Sequence, residues 1–409
     1  MSRWPRMIAL VDIDSCFAQI EQMDRPEWRG RPIGVTNGLR GTCIITSSYE
    51  ARAFGIKTGM RVREARKLCP GFIQVPSRPA RYTAVSSAIM AALEDVTPDY
   101  AAFSVDEAYL DLTHCQSFYN LPPEAIGRLI KQTVFRASGL LSSVGISGDK
   151  TTAKWAAKQN KPDGLTVVTP WEAEAVLADQ PVTDLCGISH GIAAFLKARG
   201  VEKCGDMKRI PISAVAQRFG NPGRRLWLMA QARDPEPVQQ NDAPAKTIGH
   251  GKVIAPDTRS RELLAMYYMH MAEKVARRLR KNDLEALTFG IGLRTELGGI
   301  GGKYRCVQPS ADGAVIFSLA KEFLARQWRG EGGFQVQINA LDPRPAAQQK
   351  DLFASTSCRR DGVSAAVDAI NARFGAFAVH RAPLVNRTDS PDVIAPSWRP
   401  SGPRESIDY

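Results

Sequence analysis

Two short acidic segments contain the residues best suited to chemistry. Asp106 and Glu107 are adjacent at the expected tip of a hairpin between two apolar strands, and Asp12 follows the apolar run 7–11, which is typical of a buried strand. Neighbouring carboxylates in apolar surroundings repel one another and are costly to desolvate unless a cation is present. They therefore indicate a site for hard divalent cations, and Mg²⁺ bound in this way usually shares its ligand shell with substrate phosphates. The simpler alternative is that Asp12 caps the next helix and that Asp106 and Glu107 form a solvated turn.

A second group of side chains is suited to binding a polyphosphate. Tyr49 and Arg52 lie at the start of an expected helix, Thr46 precedes them, and Lys161 lies in a turn from which its amine could reach across. Helix N-termini and cationic donors bind phosphate oxygens well. Each of these residues by itself is more typical of surface packing, so the interpretation depends on their occurring together with the acidic segments.

Strand and helix patterns in the first part of the chain must position these residues. Residues 18–79 are expected to form a small insertion between two parts of one sheet. That sheet resumes through a helix at 82–93, the acidic hairpin with its first strand at 102–105, a helix near 123–138 and a strand at 141–146. A helix in the insertion is expected to bury four residues on one face: Val62, Ala65, Leu68 and Cys69.

The later part of the chain changes character twice. Residues 170–234 are expected to be helical, and residues 246–342 predict the order strand, helix, strand, strand, helix, strand. The segment 246–345 carries 16 Lys or Arg against 10 Asp or Glu, and this net charge of +6 indicates contact with phosphates. A helix is expected near 363–374, followed by a terminus rich in Pro, Ser and Arg that need not be ordered. The first helix of the basic segment carries apolar residues at helical spacing: Leu264, Tyr267, Met271, Val275 and Leu279.

Length, charge and cysteine content limit the possible classes of protein. A chain of 409 residues predicts two to four domains, and the net charge of +12 favours a polyanionic partner, nucleic acid before a membrane surface. The eight cysteines include no Cys-x-x-Cys pair, so neither a zinc site nor a disulfide framework is indicated. The apolar run before Asp12 is too short for a signal peptide or a membrane span, and a cytoplasmic location is expected.

Four motifs occur in a recognisable order. They are Val11-Asp12-Ile13-Asp14 with Phe17, then Ser48-Tyr49-Glu50-Ala51-Arg52, then Ser104-Val105-Asp106-Glu107, and finally Lys161-Pro162 with Gly164-Leu165. This order closely resembles that of the Y-family translesion DNA polymerases, in particular their DinB-like branch, and the likeness extends from about Met7 to Phe353.

The resemblance implies an α+β multidomain fold with the right-hand architecture of a polymerase. The implied parts are a palm (1–16 and 80–168), small fingers (17–79), a helical thumb with a helix-hairpin-helix (169–234), a linker (235–245), a βαββαβ little finger (246–343), a clamp-binding peptide (344–353) and a C-terminal tail of unknown role (354–409).

The resemblance also implies roles for single residues. Asp12, Asp106 and Glu107, with the carbonyl of Ile13, are expected to hold two Mg²⁺ ions per active site. Asp14 matches an aspartate that supports the strand end rather than binding metal. The β- and γ-phosphates of a dNTP are expected to contact four residues: Thr46, Tyr49, Arg52 and Lys161.

Phe17 matches the family's steric gate, an aromatic ring packed where a ribose 2′-hydroxyl would otherwise lie, and its alternative role is plain core packing. The expected activity is low-fidelity, poorly processive translesion synthesis on primer-template DNA by a monomer without membrane attachment. Two positions depart from the family pattern. Ser189-His190 stands where a second glycine is usual in the thumb hairpin 187–191, and Cys16 replaces a residue that is commonly aromatic.

The segment Gln349-Lys350-Asp351-Leu352-Phe353 resembles the sliding-clamp-binding peptide of bacterial polymerases. Such a peptide buries an apolar pair in a groove while the glutamine anchors the backbone, which assigns clamp contacts to Gln349, Leu352 and Phe353.

Three alternative functions remain open at this stage. An inactive, DNA-bound scaffold that also binds the clamp would be expected to lose the carboxylates, which are intact here. Another palm-type enzyme, such as a nucleotidyl cyclase, would not need the basic C-terminal segment. A plain DNA-binding protein would not need buried acids.

Overall fold

The computed structural model describes residues 3–38, 43–239, 245–346, 357–375, 377–385, 397–399 and 402–404. The helices are α1 (Cys16–Asp24), α2 (Tyr49–Ala53), α3 (Val62–Leu68), α4 (Pro79–Glu94), α5 (Gln116–Tyr119), α6 (Pro123–Ser138), α7 (Lys150–Gln159), α8 (Ala173–Ala178), α9 (His190–Lys197), α10 (Ile212–Met229), α11 (Arg261–Lys281), α12 (Gly313–Arg326) and α13 (Ser357–Phe374). The strands are β1 (Ile8–Ile13), β2 (Ile33–Thr36), β3 (Ile44–Ser47), β4 (Ile73–Pro76), β5 (Tyr100–Ala102), β6 (Glu107–Asp111), β7 (Ser142–Ser147), β8 (Leu165–Val167), β9 (Ile248–Thr258), β10 (Leu284–Thr295), β11 (Gly298–Ser310), β12 (Gly333–Ala340), β13 (Arg344–Pro345), β14 (Ser397–Arg399) and β15 (Gly402–Arg404). The described residues form two compact units: the first contains residues up to 239 together with β14 and β15, and the second contains residues 245–385.

A five-stranded central sheet, in the order β5-β6-β1-β7-β8, organises the first unit. Its middle strand β1 is antiparallel to both β6 and β7. Ala9 and Val11 face the apolar core shared with α4 and α6, while Ile8 and Leu10 face α7 on the other side. A strand covered on both faces must be apolar throughout, which explains the uninterrupted hydrophobic run before Asp12.

Helix α7 approaches the sheet at backbone distance. A Cβ atom placed on Gly145 of β7 would lie 2.2 Å from both the Ala153 carbonyl oxygen and the Ala157 nitrogen. Only glycine fits there, so this position fixes how closely α7 packs on the sheet.

The acidic hairpin has a shorter first strand than the sequence predicts. Strand β5 ends at Ala102 and β6 begins at Glu107, so the prediction of a strand through 105 was wrong. The amides of Phe103 and Ser104 instead both donate to the carbonyl of Glu107, at 2.9 and 3.1 Å. These two hydrogen bonds turn the backbone before the ladder can continue and leave Asp106 in the turn.

A separate small sheet, β3-β2-β4, is formed within the predicted insertion. Helix α3 buries Val62 and Ala65 beside it, and Cys69, which follows the helix, is also buried, but Leu68 is 49% exposed. The expectation that Leu68 shares the buried face was wrong, because Leu68 lies about 120° round the helix from Val62.

Three helices and short 3₁₀ turns follow, as the sequence predicts, with their own apolar core around Leu177, Leu196 and Leu226. Helix α10 is interrupted at Gly220, whose backbone is non-helical (φ 64°, ψ −146°). In the altered hairpin, Gly187 adopts φ 93° and α9 starts at His190.

The second unit contains a five-stranded antiparallel sheet, in which β11-β10-β12-β9 follow in that order and the short strand β13 also pairs with β10. Its element order, β9-α11-β10-β11-α12-β12, confirms the predicted pattern. All five apolar residues predicted for its first helix are buried.

The C-terminal strap, residues 357–375 and 377–385, packs on α11. The Arg280 guanidinium is paired with both carboxylate oxygens of Asp368 at 2.7 and 2.8 Å, and Arg381 reaches Glu273 at 2.7 Å. Leu384 is completely buried in the core of the unit. The predicted helix is confirmed, and part of the terminus, which did not need to be ordered, contributes to the core.

Among the residues that the structure describes, no helix is long and apolar enough to span a membrane.

Candidate active site

Strand register places the three acidic residues at the same end of the central sheet. Asp12 of β1 is directly opposite Glu107 of β6, and the amide of Ile13 donates to the carbonyl of Asp106 at 2.8 Å. On the other side Asp12 is opposite Ser143 of β7. Residues almost a hundred positions apart in sequence therefore become neighbours through one antiparallel ladder.

Two lysines pair with two of these carboxylates, Glu107 and Asp12. The Lys154 amine lies 2.6 and 2.7 Å from the two carboxylate oxygens of Glu107, and Lys161 forms an ion pair with Asp12. Lys154 is buried although it is charged, and its amine also lies 4.3 Å from the centre of the Phe103 ring. A buried charge requires such partners, because unpaired it would lose its hydration without compensation.

Sequence reasoning missed Lys154. It lies on α7, a helix that the residues between Asp149 and Asn160 do indicate: Asp149 is a typical N-cap, and its carboxylate accepts the amide of Thr152 at 3.0 Å. A prediction of α7 would have led us to expect Lys154 near the sheet. Its pairing with Glu107 depends on tertiary packing.

Burial strongly affects the titration of the acids. It raises the pKa of Asp12 to about 7, although the opposing Lys161 charge lowers it, and burial also raises the pKa of Asp106. Cys16 lies close by, and burial together with the charges of Asp106 and Asp12 raises the pKa of its thiol well above the ordinary value. Asp12 and Asp106 would each gain from a nearby positive charge, and Cys16 remains a neutral thiol.

Asp14 acts as a structural support next to the site. Its buried carboxylate accepts the Ser143 hydroxyl at 3.0 Å and the Asp163 amide at 2.7 Å, while the Tyr49 hydroxyl lies at 3.3 Å. The Lys161 amine is 3.6 Å away. Asp14 thereby attaches the turn that carries Lys161, and the start of α2, to the end of β1.

The predicted phosphate-binding residues lie around this support. Tyr49 and Lys161 both reach Asp14, and burial, followed by the Asp14 charge, raises the pKa of the Tyr49 hydroxyl to about 12. The Arg52 guanidinium lies over the Tyr49 ring at 4.6 Å, and its Nε donates to the carbonyl of Ser47 at 3.2 Å. Thr46 lies on β3, immediately before that residue.

Phe17 lies on the first turn of α1 and is buried. Its ring is stacked on that of Tyr82 of α4, with centroids 4.2 Å apart and planes inclined by 10°. The predicted clamp contacts, Gln349, Leu352 and Phe353, lie outside the residues that the structure describes.

Within the described part of the chain, no three His, Cys, Asp or Glu side chains are already grouped as metal ligands. The nearest approach to such a group is the acidic end of the central sheet, where lysines hold Asp12 and Glu107. The donor chemistry fits a divalent ion: hard oxygen ligands, adjacent in the ladder and poorly solvated. The assignment of Asp12, Asp106, Glu107 and the Ile13 carbonyl as ligands stays a prediction.

Comparison with known proteins identifies the family. Residues 11–158 match the impB/mucB/samB family, and residues 245–352 match that family's C-terminal domain. A protein named DNA polymerase IV from Moorella thermoacetica is 34% identical over 383 residues, which are 92% of this chain and 95% of the relative. Another protein of that name, from Halorhodospira halophila, is 32% identical over 355 residues, 86% of this chain and 99% of the relative. A solved Y-family DNA polymerase chimera superposes with a TM-score of 0.71 at 26% identity and covers 82% of this chain and 98% of its own.

The fold, the acidic end of the central sheet and these comparisons together define the class of protein. It is a DNA-directed DNA polymerase with the right-hand architecture. The chain belongs to the impB/mucB/samB family and is a DinB-like Y-family polymerase. The resemblance and the fold class predicted from sequence are thus confirmed. Its substrates are primer-template DNA and deoxynucleoside triphosphates, its role is translesion synthesis in DNA repair, and the family uses divalent metal ions.

Proposed function

We propose that this polymerase transfers a nucleotide from a dNTP to a primer 3′-hydroxyl with two Mg²⁺ ions, at low fidelity and low processivity. The ligands would be Asp12, Asp106, Glu107 and the carbonyl of Ile13. One observation carries the proposal: the β1–β6 register brings three carboxylates to one sheet end, beside two lysines.

The protein groups around this sheet end have separable tasks. When bound, two Mg²⁺ ions supply activation of the 3′-hydroxyl and neutralisation of the triphosphate. Lys161 can exchange its Asp12 partner for a phosphate oxygen, because its turn is fixed to Asp14 through the Asp163 amide. Tyr49 and Arg52, with Thr46, would bind the β- and γ-phosphates from the other side.

Phe17 would select the sugar. Its ring is held between its own helix and Tyr82, so it cannot withdraw to admit a 2′-hydroxyl. Exclusion by a rigid ring discriminates against the larger ribose without needing a polar contact.

The exposed face of the second unit's sheet would grip DNA. Arg294, Lys303 and Arg305 are exposed, while their strand neighbours Leu293 and Tyr304 are buried against the helices. Strand register puts the three cations on one face: Arg294 is opposite Gly299, Lys303 opposite Gly290, and Arg305 opposite Thr288. Glycines leave this face flat, which suits contact with a phosphate backbone regardless of base sequence.

Gln349, Leu352 and Phe353 would recruit a sliding clamp, and we expect the enzyme to work as a monomer in the cytoplasm. A clamp raises the local concentration of a weakly processive enzyme at the primer end without new active-site contacts. Changing Leu352 and Phe353 to Ala should abolish clamp-stimulated extension and leave clamp-free extension intact. Full stimulation of that double variant would show that the clamp binds elsewhere.

The decisive assay is primer extension by the full chain on undamaged and damaged templates, with Mg²⁺ and with a chelator. Extension should require Mg²⁺ and should end after few additions when excess competitor DNA is present. A protein that binds primer-template DNA but extends no primer with any divalent cation would instead be the inactive scaffold considered above.

A further inference from the structure

The stacked pair Phe17–Tyr82 is anchored by a buried hydrogen bond. Tyr82 is completely buried, and its hydroxyl donates to a carboxylate oxygen of Glu21 at 2.7 Å. Burial, and then the Glu21 charge, raises the pKa of Tyr82 far above its ordinary value. The hydroxyl is therefore a permanent donor, and the ring cannot slide along Phe17 without breaking this bond.

Glu21 is itself fixed by an arginine. It lies on α1 one turn after Phe17 and is 1% exposed. Arg78, which immediately precedes α4, reaches both its carboxylate oxygens, with Nε at 2.9 Å from one and Nη2 at 2.8 Å from the other. Bidentate pairing fixes the carboxylate in orientation as well as position. Glu21 thus joins the helix that carries Phe17 to the helix that carries Tyr82.

We propose that Glu21 and Arg78 are positioning residues for sugar selection, because they hold Tyr82 and thereby the ring of Phe17. The inference rests on the proposed role of Phe17 as the gate. A ring that rejects a single hydroxyl must resist displacements of a fraction of an ångström, and such resistance comes from residues behind it.

The same two helices offer a matched control. Arg81 forms a two-point ion pair with Asp24, at 2.9 and 2.8 Å, and this pair also joins α1 to α4. It is more exposed than the pair at Glu21, and the Tyr82 hydroxyl is bonded to Glu21 rather than to Asp24. Asp24 also accepts Arg78 Nη2 at 2.8 Å, so Arg81→Gln removes only the outer pair. Arg78 keeps its contacts with Glu21 and Asp24, and the stacked ring is not released.

The experiment measures kcat/KM for a dNTP and for the matching ribonucleotide in four variants. Tyr82→Phe keeps the stack but loses the hydroxyl, and it should raise relative ribonucleotide use roughly tenfold. Glu21→Gln keeps an oxygen that can accept from Tyr82 but loses the negative charge that pairs with Arg78, and a smaller rise is expected. Arg81→Gln should leave the ratio unchanged, and Phe17→Ala should raise ribonucleotide use by roughly a hundredfold or more.

A purely structural role for Glu21 would lower both efficiencies together, and an unchanged ratio in both Tyr82→Phe and Glu21→Gln would overturn the inference. If Phe17→Ala nevertheless changes the ratio, the gate itself stands. If Phe17→Ala leaves the ratio unchanged, both the gate and the inference fail. A rise in Arg81→Gln equal to that in Glu21→Gln would also overturn the inference, because any link between the helices would then suffice.

Discussion

The two sheets of this polymerase use charge in opposite ways. At the end of the central sheet, Asp12 and Glu107 are each paired with a lysine, and these four side chains are largely buried. On the second unit's sheet, cations are exposed and spread over a flat face. Chemistry needs charges in defined positions at low dielectric, whereas grip on a polyanion needs only many solvated cations. Removing one charge should therefore matter far more in the first sheet than in the second.

The largest effect is expected from the carboxylates. Changing Asp106 and Glu107 together to Ala should reduce primer extension roughly a thousandfold or more, because two of the proposed metal ligands would be lost. Affinity for primer-template DNA, measured by fluorescence anisotropy, should change little. Asp99→Asn, an exposed acid at the other end of the hairpin, is the control. Near-normal extension by the double variant would refute the active-site assignment.

Lys154 should have the next largest effect. Lys154→Met removes the charge that holds both Glu107 oxygens while retaining much of the side-chain volume, and loss of such a supporting group typically costs roughly ten- to hundredfold in activity. Single-turnover extension at several Mg²⁺ concentrations measures the reduction.

Lys158→Met, one turn further along α7 and exposed, serves as the control. If the two variants behaved alike, the buried pair would have no special importance and the contrast between the sheets would weaken.

Loss of cations from the exposed face of the second unit's sheet should weaken DNA binding only moderately. Changing Arg294, Lys303 and Arg305 to Gln should weaken DNA binding about tenfold at low salt and reduce the slope of log K against log salt by about 0.9 for each phosphate that is no longer neutralised. Extension on saturating DNA should hardly change.

Three exposed cations on the helical side of the same unit supply a charge-matched control: Lys321, Arg326 and Arg329. An equal loss of affinity in that variant would mean that net charge, and not this face, provides the grip.

The smallest effect concerns the C-terminal strap. Breaking its pair with Arg280→Gln should lower the free energy of unfolding by about 1 kcal/mol, as measured by urea denaturation. Primer extension should be unaffected. Arg259→Gln, which loses a more exposed pair with Asp257, should have a smaller effect. A loss of extension without a loss of stability would show that the strap contributes to catalysis.

The sequence predicted what depends on local pattern. Asp106 and Glu107, adjacent after an apolar strand, indicated the acidic end of the central sheet. The spacing of apolar residues, which changes between strand-like and helix-like, predicted the βαββαβ order of the second unit. It did not predict contacts that exist only after folding. Tyr82 is 65 residues from the ring it supports, and Lys154 pairs with an acid 47 residues earlier.

Other misses were local. Leu68 lies off the buried face of its helix, because its position is about 120° round the helix from Val62. The strand expected through 105 stops at Ala102 because two amides bind one carbonyl, a choice that apolar composition does not reveal. Arg280 and Glu273 hold the strap through ion pairs. In the sequence alone, these two residues look like ordinary solvent-exposed charges on a helix, so they do not predict the contact.

Gly145 determines how closely helix α7, which carries Lys154, can approach the central sheet. Because α7 touches β7 through backbone atoms, the distance from the sheet to Ala153 is fixed by the absence of a side chain. Lys154 is the next residue, so a methyl group at position 145 would push the amine away from Glu107 by tilting the whole helix. The accuracy with which the enzyme places that charge is thus determined by the one residue that contributes no side chain of its own.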